Sequence, residues 1–389
     1  MSPARPSAWT AADVYAEADT QGVKPREGIA TDIISGDDAL FHPGSLLTGD
    51  GHVVASYDIE QQREIGCYRS LYSQAGFFNA AAAAFTLDYA RLSAVHIVNG
   101  MGVALGDSII GLTAVEALRF FNPALHAVLY RPGRAPAYVE SLYHMAAGII
   151  GEMRWLPRTL TEVCGPEPRI DLGNHLFRPA FAAMPMIDFF LRSLGVDPAA
   201  VPTGLKANRW LQRLCLPPPP APWRENEYVL FCPSASTPLR SIPVMMHKTL
   251  VERLWRRFAC PVLGFGPLDS AHYIDIAGYA TDTPQFLSWI KHARFVLSSD
   301  SAAVHAAAGF DVPSTAIFTS IPPELRVRDY TLCRPIALDV PTVRNMHASA
   351  RPQDIALLEQ AYQKLDVESI APVGINPSAY RAAGDDTLE

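Results

Sequence analysis

The sequence predicts an α/β protein built from two doubly wound parallel-sheet domains that face each other across a cleft, preceded by an N-terminal extension. Three observations predict this. Short apolar runs of strand type alternate with helical periodicities from residue 94 onward. The alternation is broken by Leu216-Pro217-Pro218-Pro219-Pro220-Ala221-Pro222, an extended, stiff linker composition. It then restarts and runs almost to the C-terminus.

In the first domain, Val95-His96-Ile97-Val98 reads as a buried strand, and the loop Asn99 to Gly106 follows it. A helix is expected from Asp107 to Phe121, with apolar residues at 109, 110, 112, 115, 118 and 121; Asn122-Pro123 stops it. Ala127-Val128-Leu129-Tyr130 is the next strand, which completes a βαβ unit and implies a parallel sheet. In the second domain, strands are expected at 228–231, 261–264, 295–299 and 314–318, and helices at 244–258, 284–293 and 301–308. A last helix, 352–365, is expected to pack back across the first domain. The resulting division is 1–93 extension, 94–215 first domain, 216–222 linker, 223–345 second domain, and 346–389 helix and tail. Within the extension, Val53 to Tyr57 alternates like a strand and Ala80 to Ala84 favours helix.

At 389 residues the chain is long enough for two or three domains. A net charge of −7 argues against nucleic acid as the main partner, because phosphate contacts need clustered Lys and Arg. The six cysteines, at 67, 164, 215, 232, 260 and 333, form no CxxC pair, so neither a structural zinc nor a disulfide framework is expected. Scattered single cysteines and the lack of an apolar leader at the N-terminus point to the cytoplasm. No apolar run could span a bilayer, so membrane contact would be peripheral at most.

Three segments carry candidate chemistry. The first is Asp300-Ser301-Ala302-Ala303-Val304-His305, after a strand ending at Ser299. A helix of small residues starting there offers backbone N–H groups and a positive dipole end to a diphosphate, with His305 one turn in. Alone, the segment equally suits a capped core helix. The second is the loop Pro233 to Pro243, with hydroxyls at Ser234, Ser236 and Thr237 and a cation at Arg240. It leaves the C-terminal edge of a strand, where open α/β sheets bind ligands; alone, it reads more simply as a surface turn. The third is Leu105-Gly106-Asp107, a tight strand-to-helix turn with a carboxylate at the helix start.

In this order, the three resemble the heptosyltransferase family of GT-B glycosyltransferases. That family shows an LGD motif near its start, a PGAS…K.WP motif opening the second half, and DSGPMHLAAALGVP near the end. The counterparts are Leu105-Gly106-Asp107, then Ser236 with Arg240, Ile242 and Pro243, then Asp300-Ser301 with His305, Ala307, Ala308, Val312 and Pro313. The resemblance spans roughly residues 94 to 330. Arg240 stands in the place of a lysine, Ile242 of a tryptophan, Ala302 of a glycine and Ala303 of a proline.

The resemblance implies two Rossmann-like domains and transfer of a heptose from ADP-heptose to a glycan, protein or small-molecule hydroxyl, by direct displacement with inversion. Asp107 would be the general base. Ser236, Arg240, Asp300, Ser301, Ala302, Ala303 and His305 would hold the donor diphosphate, with Ser234 and Thr237 beside them. The nucleotide-sugar is then a co-substrate, and no resident cofactor is implied. Some members of a protein-modifying branch carry iron on clustered C-terminal cysteines; only Cys333 lies in that region here, so no such metal site is expected. Two other readings stay open: a GT-B transferase with another nucleotide-sugar, and a non-catalytic nucleotide-sugar-binding partner subunit. The extension is compatible with an acceptor groove or a homo-oligomer contact.

Overall fold

The N-terminal residues of the described chain build an antiparallel sheet. A computed structural model describes residues 33–62, 66–349 and 351–373. Its first elements are β1 (Ile34–Ser35), α1 (Gly36–Leu40), β2 (Leu46–Thr48), β3 (His52–Val54), α2 (Ser56–Gln62) and β4 (Cys67–Ser70). The alternating segment Val53 to Tyr57 therefore stays extended only to Val54. Ala55 closes the turn: its carbonyl accepts the Asp58 and Ile59 N–H groups and starts α2.

The first parallel sheet begins with β5 (Phe77–Phe78), β6 (Ala94–Val98), α3 (Leu105–Phe121), β7 (His126–Arg131), α4 (Ala137–Met145) and β8 (Glu152–Trp155). It continues through β9 (Arg158–Thr159), α5 (Leu160–Val163), β10 (Arg169–Asp171) and α6 (Met186–Ser193). Its strand order is β5-β10-β6-β7-β8, and all its pairs are parallel. Strand β9 instead closes the antiparallel sheet, whose order is β1-β4-β2-β3-β9.

The expected helix at Ala80–Ala84 does not form. Asn79 turns the chain, taking the Ala81 N–H on its side chain and the Ala82 and Ala83 N–H groups on its carbonyl. Beyond it the chain extends, because Leu87 donates to the Gly195 carbonyl and Phe85 packs on Phe78. Tertiary anchoring outweighs the small helix preference of alanine.

The second sheet comprises β11 (Val229–Cys232), α7 (Val244–Phe258), β12 (Val262–Gly264), β13 (Tyr273–Asp275), α8 (Thr283–Lys291) and β14 (Phe295–Ser299). It ends with α9 (Ala302–Gly309), β15 (Ser314–Phe318), α10 (Glu324–Val327) and β16 (Cys333–Ala337), before α11 (Pro352–Gln363). The order is β13-β12-β11-β14-β15-β16, entirely parallel. Counted from its own first strand this is 3-2-1-4-5-6, the doubly wound Rossmann arrangement. The first sheet has five strands in another order, but it too is entirely parallel, and two parallel-sheet domains of this kind facing a cleft are the GT-B architecture expected above.

The helix after residue 350 corrects one expectation. Leu358 and Tyr362 of α11 bury into the second domain's own core beside Val229, Phe231 and Leu250. Thr315 donates to the Ala371 carbonyl, and Arg253 pairs with Glu368 at 2.7 Å. The apolar stripe of α11 is thus satisfied by its own domain and does not cross to the first. The domains instead share one continuous core that includes Leu112, Trp210, Leu230, Val296 and Ala306. Among the described residues, no helix is long and apolar enough to cross a membrane.

Candidate active site

Both parallel sheets change winding direction at one pair of neighbouring strands, and a doubly wound sheet opens a crevice at such a point, beyond its strand C-termini. In the second sheet the pair is β11 and β14. The loops leaving them are Pro233–Pro243 and Asp300–Ser301. In the first sheet the pair is β6 and β10. The loop after β6 leads to Asp107, and the loop after β10 to His175. Between them lies a cleft of about 850 Å³.

The first-domain wall is set by backbone geometry. Asn99, Met101 and Gly102 have φ of 51°, 68° and 70°. Arg131, fully buried at the end of β7, donates to the carbonyls of Gly100 at 2.6 Å and Gly102 at 2.7 Å. Glu140 neutralises that guanidinium at 2.7 Å. The loop is thereby pinned, and α3 starts without a side-chain cap at Ala104. Asp107 lies in its first turn, where a carboxylate favours the helix dipole.

His175 Nε2 donates to Asp107 Oδ2 at 3.0 Å. The ring is buried against the edges of Phe181 and Phe190. Burial alone would raise the Asp107 carboxyl, but the His175 hydrogen bond and charge, with His347 and Arg326 beyond, hold it well below the usual carboxylate range. The extension supports this loop from behind. Asp171 accepts from Ser45 Oγ at 2.6 Å and Asn79 Nδ2 at 2.9 Å, and the Pro43 carbonyl accepts the Asn174 N–H.

A methyl on Gly102 would stand 2.5 Å from His175 Cε1, at a φ that favours glycine. Gly102→Ala is therefore expected to cost about 1–3 kcal/mol, read as a lower urea midpoint with unchanged slope. An unchanged midpoint would mean that this loop does not brace His175.

On the second-domain wall, Arg240 Nη1 reaches Asp300 Oδ2 at 3.2 Å, and its Nη2 donates to Ser236 Oγ. Asp300 is buried; desolvation alone would raise its carboxyl, but Arg240 first, then Arg326 and His305, bring it below its ordinary value. Ser301 caps α9, its Oγ accepting the Ala303 N–H at 3.4 Å and lying 3.0 Å from Ser298 Oγ. Ser234 is exposed on the cleft wall, whereas Thr237 is buried and donates to the His347 carbonyl at 3.4 Å.

His305 is held differently from the rest. Its Nδ1 is hydrogen-bonded to the Tyr330 hydroxyl at 2.9 Å, and the residue, though buried, borders the cleft. Burial pushes its pKa down to about 4, so the ring is neutral at neutral pH. Asn208 ties this corner to the first domain: its amide donates to the His305 carbonyl and Tyr330, and it accepts from Thr113 at 2.7 Å.

The starts of α3 and α9 meet almost directly. A Cβ on Gly106 would lie 3.5 Å from Ala302 Cα and 3.1 Å from His305 Cδ2. The structure thus gathers Asp107, Ser234, Ser236, Thr237, Arg240, Asp300, Ser301, Ala302, Ala303 and His305 around one cleft. Sequence reasoning missed His175, Arg326, and an aromatic wall of Phe265 and Phe286 with ring centroids 5.3 Å apart. Only His175 carried a signal, a histidine just past a strand end; the phenylalanines look like core residues in the sequence.

No protein-family model and no curated protein sequence matches the chain. Among solved structures, it is similar to the ADP-heptose LPS heptosyltransferase II of E. coli, at 14% identity and a TM-score of 0.43, over 69% of this chain and 98% of that one. It is similar to a family 9 glycosyl transferase of Veillonella parvula at 13% identity and TM-score 0.44, over 76% of this chain and 96% of that one. It is also similar to the dodecameric iron-containing heptosyltransferase TibC in complex with ADP-D-beta-D-heptose, at 12% identity and TM-score 0.42, over 82% and 90% of the two chains. TibC comes from enterotoxigenic E. coli. At these identities and scores the likeness assigns no residue a role.

Proposed function

We propose that the chain is a glycosyltransferase that moves a heptose-type sugar from ADP-heptose to an acceptor hydroxyl, with inversion at the anomeric carbon. The observation that carries the reading is the opposition, across one cleft, of a carboxylate at one sheet's switch point and a cation beside a helix N-terminus at the other's. Nucleotide-sugar transfer needs a proton acceptor on one side of the anomeric carbon and stabilisation of a leaving diphosphate on the other.

In this mechanism the donor diphosphate lies against Arg240, Ser236 and the start of α9. The acceptor hydroxyl, on a glycan, protein or small molecule, approaches from the Asp107 side. Its oxygen forms the bond to the anomeric carbon as the bond to the diphosphate breaks. The electron pair leaves with ADP, and the hydroxyl proton passes to Asp107. A carboxylate held as low as Asp107 is a weak base in the empty cleft. The negative charge of a bound donor raises its pKa and so strengthens it as the reaction requires. Closure around the donor limits hydrolysis by water.

The choice of ADP and heptose rests on the motif resemblance in the three segments. A thermal-shift panel of ADP, UDP and GDP tests it. A nucleotide present at 100 times its Kd is expected to stabilise the fold by about 2.7 kcal/mol. ADP should give the largest shift. A larger shift with UDP or GDP would move the donor, and no shift with any of the three would remove the nucleotide-sugar reading.

A further inference from the structure

The sequence motifs place one cation, Arg240, at the cleft, and that cation is already paired with Asp300. A second guanidinium, Arg326 on α10, also lines the cleft and is only 6% exposed. Its contacts are few for a buried charge. It donates to the neighbouring Leu325 carbonyl at 3.2 Å and lies 5.2 Å from the centroid of the Phe181 ring. Among the described residues it has no ion-pair partner. Asp300 and Asp107 attract it only from beyond salt-bridge distance. An isolated charge taken out of water is costly unless something pairs it. Both of these contacts are weaker than a salt bridge, which leaves the guanidinium able to take an anion in the cleft.

We infer that Arg326 is a second anion-binding residue of the cleft, which takes the diphosphate of the nucleotide-sugar together with Arg240. The inference rests on the transferase reading above and adds to it a residue that none of the three motifs contains. The position of Arg326 gives it a further property. It projects from the second domain, yet it stacks on Phe181 of the first and acts electrostatically on Asp107. The anion it binds is therefore sensed in both domains at once. Among the described residues, Arg240 bonds within its own domain, to Ser236 and Asp300.

The test compares the full-length protein with Arg326→Met and Arg326→Lys, using calorimetric titration with ADP and with inorganic pyrophosphate, and melting of each ligand-free protein. Met fills similar volume without charge. If the guanidinium waits for an anion, Arg326→Met melts at the same or a higher temperature than the parent while its ADP and pyrophosphate affinities fall about 30-fold or more. Arg326→Lys keeps the charge but loses the forked geometry, so it should fall between the two. An Arg326→Met protein that melts lower or fails to fold would show that the arginine serves the fold, and would overturn the inference. So would ADP affinity within about threefold of the parent, and that result would leave the transferase reading standing. Pyrophosphate binding that depends on Arg326, without ADP binding to the parent, would keep the anion site and sink the nucleotide-sugar reading.

Discussion

Asp107→Asn is expected to lose about 10²–10⁴-fold in transfer, the span of a positioned general base, while ADP binding stays near the parent value. The amide nearly matches the carboxylate in shape and retains an oxygen for the His175 Nε2 hydrogen, so the wall of the cleft is preserved. What disappears is the ability to take a proton. Turnover with an acceptor and ADP titration, made on the same preparation, separate the two effects. Near-normal turnover would remove Asp107 as the base, and a large loss of ADP affinity would place it among the donor contacts instead. Because the Asp107 carboxyl sits below the ordinary range, its ionisation sets no acid limit on the empty enzyme near neutral pH. An acid limb that appears only with donor bound would report its rise.

Arg240→Ala is expected to weaken donor binding and, separately, to destabilise the protein. Asp300 has a side chain only 3% exposed and depends on that guanidinium first among its compensating charges. Removing one partner of a buried pair costs about 3–5 kcal/mol, because the remaining charge has lost its compensation. In the parent, the Asp300 pKa is depressed on folding, so its contribution is present above the unfolded carboxylate value and is lost as pH falls through the folded one. In the variant, burial dominates and the folded pKa rises, so the penalty is greatest at neutral pH and is relieved on protonation. The stability gap between parent and variant should therefore narrow as pH falls from neutral towards 4, about the unfolded carboxylate value. A gap that is constant with pH would mean that Asp300 is not the group left uncompensated. A full gap in stability with unchanged ADP affinity would move the phosphate site away from Arg240.

The residues behind both effects are legible in the sequence. Asp107, Arg240 and Asp300 each lie in the segment that follows a strand, in the loop or the first turn of the helix after it, and chain order alone sets those features. The buried runs of β6, β11, β14 and β15 and the long periodic helices α3 and α7 were legible for the same reason. Each is a local pattern long enough to outweigh its neighbours. The N-terminal region was not legible in this way. Its strands are two to four residues long, and the sheet closes only when Arg158–Thr159 arrives from far along the chain. The alanines at 80–84 follow Asn79 and the pull of Phe85 and Leu87, not their own propensity.

By itself the sequence determined the alternation of strands and helices, the break at the four prolines, and three polar segments at strand ends in an order shared with one transferase family. These are one-dimensional properties: period, punctuation and order. Tertiary structure decided which of those ends meet. It set Asp107 against His175, 68 residues later, and brought the start of α9 against Gly106. It also kept α11 on its own domain and buried Arg326 in the cleft with no salt-bridge partner among the described residues. The reason is physical. A strand or helix is specified by neighbours a few residues away, whereas a buried ion pair, or the lack of one, is specified by the packing of segments that have no sequence relation to each other.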